Sequence, residues 1–473
     1  MNPKKRLILL CLAIVALNGC AVRRYQPAPI SASEGASRLE SRTLQDPDLR
    51  EFLQNNLGHQ PNPWPPQRWD LSTLTLAALY FSPEMEIERA RAEAAEAAVV
   101  TAGARPNPSL SVHPGVPSPY LFGLDLDFPI ETAGKRRYRI ERTEQLTVGA
   151  RFGLASTAWK IRSQVRRAFV DHIVAARDLD LLRAEEHLES RRVSLLTQRL
   201  TVGEIARPEV DSARVDLSNA RLAVRIAEGR VSETKAALSA VIGVAVAALE
   251  GAEFSWPDLD RPPSTESLSP QRVQREAVLN RLDVRQALAE YAAAERDLRL
   301  EIAKQYPDFQ IGPGYQYEER NSFFTIGFAM TLPILNRNQG PIAEAEARRK
   351  EAGARFLATQ ARVIAESEDA LASYRAALTE LNEAEESLTK LQGPREQMAR
   401  FAVTAGESDP LTLIDVQLQG TAAAQAKLSA LVQAQIALGD LEHAVQRPLE
   451  GEVSVPQPLQ VPSAKKGLKG LKP

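Results

Sequence analysis

The sequence contains the same unit twice, and this repeat limits the possible folds more than any other feature. One alternating stretch ends in Phe128-Pro129-Ile130, and a similar stretch ends in Leu332-Pro333-Ile334. Each is followed by glycine and basic residues and then by a long helical segment. Recurrence of one pattern along a chain indicates repeated structural units. We therefore predict an internal twofold sequence repeat, with repeat 1 over 71–250 and repeat 2 over 271–450 joined by a linker over 251–270.

Each repeat is expected to contain a helix, two β-strands and a long helical hairpin. In residues 120–129, Leu124, Leu126 and Phe128 alternate with Gly123, Asp125 and Asp127. Such alternation is typical of transmembrane β-barrel strands, but also of a soluble sheet with one buried face. Polar residues such as Asp125 and Asp127 favour a barrel with a water-filled lumen. Four strands cannot close a barrel, and lipid does not tolerate open edges, so several copies would have to share one barrel.

The helical segments are too long for an ordinary globular domain. No proline interrupts Lys135 to Leu200, and a helix of about 65 residues would be about 100 Å long. The following segment keeps a heptad spacing from Val210 to Val241, which predicts an antiparallel coiled-coil hairpin with its tip at Gly203. A second helix from Pro341 to Phe401 and a break at Gly406 predict the matching hairpin.

The N-terminus is typical of a targeting segment. Residues 1–19 combine three basic residues with a short apolar run and end before Cys20, an arrangement that resembles the bacterial lipobox and predicts acylation of Cys20. An ordinary signal peptide with a chance cysteine is the alternative. Residues 20–70 are expected to form an extended leader, and 451–473 a disordered tail. With 58 basic and 60 acidic residues, the charge gives no attraction to nucleic acid.

The chain as a whole resembles the TolC-like outer membrane factor family, and within it the branch that serves cobalt-zinc-cadmium heavy-metal efflux. The resemblance rests on the repeat, the lipobox and the glycine-containing tips. It also rests on two motifs, Glu131-Thr-Ala-Gly-Lys-Arg-Arg137 and Leu332-Pro-Ile-Leu-Asn-Arg-Asn-Gln-Gly340. It implies a mixed α and β membrane protein, in which a homotrimer shares a twelve-stranded barrel in the outer membrane above a periplasmic α-helical barrel. It also implies an exit duct, not an enzyme, that works with a periplasmic adaptor and an inner-membrane RND-type pump.

The resemblance assigns roles to residues at the two tips. Val202, Gly203 and Gly406 correspond to adaptor-docking positions, although the glycines are also explained by the tight turns. Glu209, Thr412 and Asp415 fall at or near family gate positions, where carboxylates from three copies would form a ring that favours cations. The alternative is that Glu209 and Asp415 are solvated helix residues.

No catalytic, cofactor or metal site is predicted from the sequence. The five histidines lie in different segments, and only one cysteine remains after residue 19, so a zinc site is not expected. Metal specificity would then reside mainly in the pump. Two other functions stay open, namely an outer membrane factor for drug efflux or type I protein secretion, and a periplasmic coiled-coil scaffold lipoprotein without a barrel.

Overall fold

The structure is a computed structural model, and it describes residues 24–59, 61–114, 122–266, 268–318 and 321–449. The signal segment 1–19, the acylation site Cys20 and the tail 451–473 lie outside the described residues. Two compact units are present, Met1–Arg42 and Thr43–Pro473. In the first unit the described residues form one helix, α1 (Ala32–Glu40).

The expectation of an extended leader over 20–70 is wrong for the helical stretches, because α1 and a second helix, α2 (Pro47–Leu57), lie within it. In α2, Asp46 caps the N-terminus by accepting a 2.9 Å hydrogen bond from the backbone N–H of Asp48. Leu49 and Leu53, one helical turn apart, are both fully buried. The apolar periodicity of α2 is only about two turns long, and the proline-rich stretch that follows it favours an extended chain instead.

The single helices expected before each pair of strands are both broken in two. The first is divided into α3 (Leu71–Phe81) and α4 (Pro83–Gly103), and the second into α7 (Pro270–Asn280) and α8 (Leu282–Ala303). Ser82 takes an extended conformation and caps α4, whose first residue is a proline. Between α7 and α8 the break is at Arg281, which also leaves the helical region.

Two long helical hairpins dominate the second unit. The first contains α5 (Lys135–Thr201) and α6 (Arg207–Ile242). The second contains α9 (Gln339–Glu386), a π-helical turn (Ser387–Gln392), α10 (Gly393–Thr404) and α11 (Pro410–Val445). The heptad residues of α6 are buried or half-buried against α5, which confirms the predicted coiled-coil pairing. None of the described helices has both the length and the apolar character needed to cross a membrane.

The helices form a row in which α5 and α11 are central. Helix α6 packs on α5, α5 packs on α11, and α11 packs on α9 and α10. Nearer the sheet, α4 and α8 also pack against α5, and α8 contacts α9. The row therefore has two edges in its tip half, α6 on one side and α9–α10 on the other.

The π-helical turn interrupts the arm that was expected to be one uniform helix. Pro394 has no N–H to donate to the carbonyl of residue 390, and its ring would collide with that carbonyl in a regular α-helix. The turn before it widens, and the N–H of Gly393 bonds the carbonyl of Leu388, five residues back. The proline is thereby accommodated without ending the arm.

The β-structure consists of two sheets. Short strands β1 (Arg68–Trp69) and β4 (Glu253–Phe254) pair in parallel. The larger sheet contains β2 (Ser109–Pro114), β3 (Phe122–Ile130), β5 (Phe309–Glu318) and β6 (Asn321–Met330), all antiparallel in the order β2-β3-β5-β6. Strand β3 pairs with β5, so the sheet joins the two halves of the chain. Strands β2 and β6 are its edges.

Apolar cores lie where the helices meet, away from the large sheet. One core is built around Trp69, Leu74, Leu79 and Phe169, and it lies between α3 and the middle of α5. A second is built around Tyr374 and neighbouring leucines of α9 and α11. No residue of the large sheet belongs to either core, so one face of that sheet has no apolar partner among the described residues.

Two turns connect the large sheet to the long helices through side-chain hydrogen bonds. Lys135 is buried and donates to the carbonyl of Tyr306 at 2.6 Å and to a carboxylate oxygen of Asp308 at 2.7 Å. Asp308 also accepts from the backbone N–H of Thr132 at 2.8 Å. In the other turn, the side-chain amide of Asn338 donates to the carbonyl of Glu301 at 2.8 Å. These contacts fix the position of the sheet over the hairpins.

Candidate functional site

The two hairpin tips have the same backbone geometry. At the first tip Gly203 has φ +77°; its N–H bonds the carbonyl of Leu200, and the N–H of Glu204 bonds that of Arg199. At the second tip Gly406 has φ +74°, with the equivalent bonds to the carbonyls of residues 403 and 402. This is the Schellman motif, which requires a left-handed residue and so favours glycine. The turns predicted at Gly203 and Gly406 are confirmed.

The residues before the two glycines differ. Val202 is 71% exposed, whereas the second tip carries the smaller Ala405, which is also exposed. A Cβ atom added at Gly203 or Gly406 would meet no atom within 4 Å. Both tips thus present open surface, with one apolar side chain projecting at the first.

The structure also shows that the tips of one chain contact each other, which the sequence did not predict. An Nη2 atom of Arg199, at the end of α5, lies 2.6 Å from an Oδ1 atom of Asp409. Asp409 is the N-cap of α11 and accepts a 3.0 Å bond from the N–H of Leu411. The Leu411 side chain packs on a small cluster that contains Leu196 and Val210 of the first hairpin. An ion pair and an apolar contact therefore hold the two tips side by side.

This contact changes the acid–base behaviour of the tip. The hydrogen bond from Arg199, followed by that from the N–H of Leu411, lowers the pKa of Asp409 below its ordinary value. The same ion pair raises the pKa of Arg199. The pair therefore remains charged under mildly acidic conditions.

The residues predicted to form a gate lie just behind the tips. Glu209 is in the first turn of α6, where its carboxylate is 3.5 Å from the N–H of Ala206. Thr412 and Asp415 lie in the first two turns of α11, and all three side chains are exposed. Over the described residues, no hydrogen bond or ion pair joins Glu209 to Thr412 or Asp415.

The polar face of the large sheet carries Asp125 and Asp127. Asp125 pairs across the strands with Gly314, and a Cβ added at Gly314 would lie 2.2 Å from its Oδ1 atom. A Cβ added at Gly312 would lie 2.5 Å from the Oδ1 atom of Asp127. Each carboxylate thus lies over a glycine of the neighbouring strand. Any residue other than glycine would place its Cβ atom where the carboxylate lies.

His113 lies on the same face of the sheet as Asp125. Its Nε2 atom is 3.4 Å from an Oδ2 atom of Asp125. The opposite face is apolar and largely exposed, and Phe324 and Ile326 are 87% and 85% exposed. The sheet therefore has one polar face and one uncovered apolar face.

A buried polar network between α5 and α11 was not predicted. Arg162 donates to Glu442 at 2.8 Å, and Arg166 donates to Gln435 at 2.6 Å. All four side chains are at most 2% exposed. Gln435 in turn donates to the carbonyl of Leu259 in the linker, at 2.6 Å. The network joins the two hairpins and the linker at one level of the helical body.

The described residues contain no group of three or more His, Cys, Asp or Glu side chains placed to hold a metal ion. Most of the charged side chains described above are paired with residues of the chain itself. The open surfaces of the described residues include the two tips, the exposed carboxylates behind them and the two faces of the large sheet.

Comparisons with known proteins agree with this architecture. Residues 76–244 match the family described as outer membrane efflux protein. The cobalt-zinc-cadmium resistance protein CzcC of Cupriavidus metallidurans is 28% identical over 275 residues, which cover 57% of this chain and 64% of that protein. The match thus spans slightly less than two thirds of that relative. The pyoverdine export outer membrane protein OpmQ of Pseudomonas aeruginosa is 21% identical over 359 residues, or 70% of this chain and 71% of OpmQ.

The fold is also found in solved structures. The outer membrane protein VceC of Vibrio cholerae superposes with a TM-score of 0.64 over 80% of this chain and 97% of its own, at 19% identity. At that identity the likeness establishes the fold alone. Together with the family match over residues 76–244 and the two relatives, it confirms the resemblance to the outer membrane efflux protein family that the sequence indicated.

Proposed function

We propose that the chain is one subunit of a homotrimeric outer membrane channel, the passive exit duct of a tripartite efflux system. An inner-membrane RND-type pump would supply the cargo through a periplasmic adaptor, and heavy-metal cations are the proposed cargo. The observation that carries this proposal is the four-stranded sheet, which is open at both edges and exposes an apolar face.

The sheet is suited to closure with other copies. Strand direction alternates along the antiparallel order β2-β3-β5-β6, so the two edge strands β2 and β6 run in opposite directions. The β6 edge of one copy could therefore pair antiparallel with the β2 edge of the next. Three copies give a barrel of twelve strands, an even number within the range of known outer-membrane barrels.

The two faces of the sheet fit the two environments of such a barrel. The apolar residues would face outer membrane lipid, and the polar face with Asp125 and Asp127 would line the water-filled lumen. The exposed apolar side chains are Leu110, Val112, Phe122, Phe128, Ile130, Ile311, Phe324, Ile326, Phe328 and Met330. A scaffold without a barrel would leave this surface uncovered in water, which disfavours that alternative.

The hairpin tips fit the periplasmic end of the duct. We assign adaptor docking to Val202, Gly203 and Gly406, because their turns are open and Val202 projects an exposed apolar side chain. Behind them, Asp415 from three copies would form a ring of carboxylates, with Glu209 and Thr412 close to the same entrance. Such a ring favours cations over anions.

The remaining assignments extend the proposal to the whole chain. Residues 71–250 and 271–450 act as two repeats, each supplying two strands and one hairpin, so that a trimer approaches sixfold symmetry. The similarity of their caps supports this, since Gly134 and Asn338 both begin the long arm in a left-handed conformation.

Acylation of Cys20 would anchor the leader to lipid. Mass spectrometry of the purified protein would show the acyl groups, and an unmodified thiol would exclude them.

Similarity to CzcC supports metal cations as cargo, whereas similarity to OpmQ supports efflux of another small molecule. The test is a strain that lacks this chain, exposed in turn to Co²⁺, Zn²⁺, Cd²⁺ and a panel of drugs. Loss of metal tolerance alone is expected, and loss of drug tolerance alone would favour the alternative. Purified protein in planar bilayers should form cation-preferring pores. Absence of pores would exclude a channel.

A further inference from the structure

A buried carboxylate interrupts the apolar seam between α5 and α6 in the tip half of the first hairpin. In alternate steps of three and four residues, the α5 side of this seam runs through positions 179, 182, 186, 189, 193, 196 and 200. Leucine or valine occupies all of these positions except 186 and 189, which are glutamates. Glu189 is only 7% exposed. It therefore holds a core position of the coiled coil, where a polar residue costs stability.

Glu189 lies between two separate apolar clusters of the seam. The cluster farther from the tip contains Leu179, Val224 and Ala227, and the cluster at the tip contains Leu196, Val210 and Ala213. Leu217 and Ala220 of α6 are buried between them but belong to neither cluster. The apolar contact between α5 and α6 is thus divided at the level of Glu189.

The neighbouring ion pairs fix the residues that lie across from Glu189. Before it, Glu186 accepts a 3.3 Å hydrogen bond from Arg221 of α6. After it, Arg192 lies 3.8 Å from Asp216 of α6. The position midway between these two contacts is opposite residues 217–220. Leucine and alanine side chains in that stretch offer Glu189 no hydrogen bond.

The charges around Glu189 compensate it only in part. Its Oε1 atom lies 3.6 Å from Nη1 of Arg192, and the same nitrogen is shared with Asp216. Over the described residues, the buried Oε2 atom of Glu189 has no hydrogen-bond partner. Burial raises the pKa of Glu189, and Asp216 and Glu185 raise it further, against the opposing effect of Arg192. An uncharged carboxylic acid therefore fits this position better than a carboxylate.

We propose that Glu189 is a proton-binding site that controls how tightly the tip half of the first hairpin closes. With the proton bound, a neutral side chain lies in the seam, and α5 and α6 pack along their whole length. When the proton leaves to solvent, a charge remains between the two apolar clusters, and opening of the seam returns it to water. All of these groups lie in one chain, so the proposal does not depend on the trimeric channel. The tip with Val202 and Gly203 becomes stiffer as its surroundings become more acidic.

The direction of the pH effect follows from the proton bound by the closed hairpin. In the open hairpin Glu189 is in water and has its ordinary pKa, whereas its pKa is higher in the closed hairpin. Closure is therefore strongest below the ordinary pKa and weakens as the pH rises through the raised one. The Arg199–Asp409 pair responds in the opposite direction, because it is lost only when the pH falls through the lowered pKa of Asp409. The sign of the effect distinguishes the two groups.

Hydrogen exchange measured by mass spectrometry tests the proposal on the full-length protein in detergent. After correction for intrinsic exchange rates, peptides from residues 190–217 report the opening constant of the tip half. In the unmodified chain this constant should rise between pH 4.5 and 8, tenfold for each unit of pKa difference between the two states. Glu189→Gln should remove the pH dependence. Glu189→Leu should make the seam continuous and lower the constant at pH 8 by about tenfold or more, as expected from burying one leucine side chain.

Glu186→Gln is the matched control. Glu186 lies one turn away in the same seam, but its side chain is 33% exposed and is paired with Arg221. This variant should keep the pH dependence of the unmodified chain. The proposal is overturned if the unmodified chain shows no pH dependence, if Glu189→Gln keeps it, or if Glu186→Gln loses it. It is also overturned if Glu189→Leu opens as readily at pH 8 as the unmodified chain.

Discussion

Replacement of Glu442 by Gln should destabilise the helical body more than any exposed charge change. Glu442 is fully buried, and its carboxylate is 2.8 Å from Arg162 and 3.8 Å from Arg166. Removing one partner of a buried ion pair leaves an uncompensated charge and costs about 3–5 kcal/mol. An unfolding entropy of about 2.1 cal/mol/K per residue gives about 0.8 kcal/mol/K for roughly 400 ordered residues. The expected fall in Tm is therefore about 4–6 °C.

Circular dichroism at 222 nm during a thermal ramp would measure this change. The control is Glu351→Gln, which breaks a pair with Arg355 whose side chains are 57% and 71% exposed. Because exposed pairs contribute only about 0–1 kcal/mol, Tm should fall by about 1 °C or less. Adding Arg162→Met to Glu442→Gln should recover part of the lost stability, because the buried charge left unpaired at Arg162 is then removed. Equal Tm values for Glu442→Gln and Glu351→Gln would refute the reasoning.

Three further predictions concern the sheet, the tip and the entrance. Gly312→Ala should reduce the yield of folded trimer because its Cβ would meet the Asp127 carboxylate, and Asp127→Ala should restore that yield on native gels. Arg199→Gln should increase pore conductance at pH 7 by freeing the tips from each other. In the unmodified chain the same increase should appear only when the pH falls through the lowered pKa of Asp409, because protonation then removes the pair. Asp415→Ala should shift the reversal potential of the pore toward weaker cation preference.

Each of these predictions has a contrary result. A Gly312→Ala trimer that stays poor after Asp127→Ala would show that the glycine is needed for another reason. Unchanged conductance of Arg199→Gln at every pH would mean that the ion pair does not restrain the tips. An unchanged reversal potential for Asp415→Ala would leave that residue as a solvated helix position.

The sequence predicted features whose signal is local. The four strands follow from strict alternation, and the tips follow from glycines at breaks between heptad segments. The buried Arg162–Glu442 pair could not be predicted, because the two residues are 280 positions apart and a heptad pattern does not report which helices become neighbours. Arg162 and Glu442 each look like ordinary surface residues of a charged helix.

Other differences between prediction and structure arise where one residue that marks a helix boundary lies within a long helix-favouring pattern. Apolar and alanine-rich residues continue on both sides of Ser82-Pro83, and this continuity favours one unbroken helix. A proline in the first turn of a helix is favourable, so Pro83 marks a new beginning rather than a tolerated interruption. Adaptor docking and gating could be predicted only through resemblance to the family, because an exposed valine or aspartate has no local signature of a partner.

The π-helical turn before Pro394 changes how the second arm responds to a change in length. A one-residue deletion in an α-helix rotates everything beyond it by about 100°, which would turn the exposed side chains of Met398 and Phe401 to another side of the arm. A π-turn already contains one residue more than an α-turn. Deleting a residue within Ser387–Gln392 and replacing Pro394 would therefore leave a plain α-helix with Met398 and Phe401 still facing the same way. The arm can lose a residue at this turn and keep its outer surface in register.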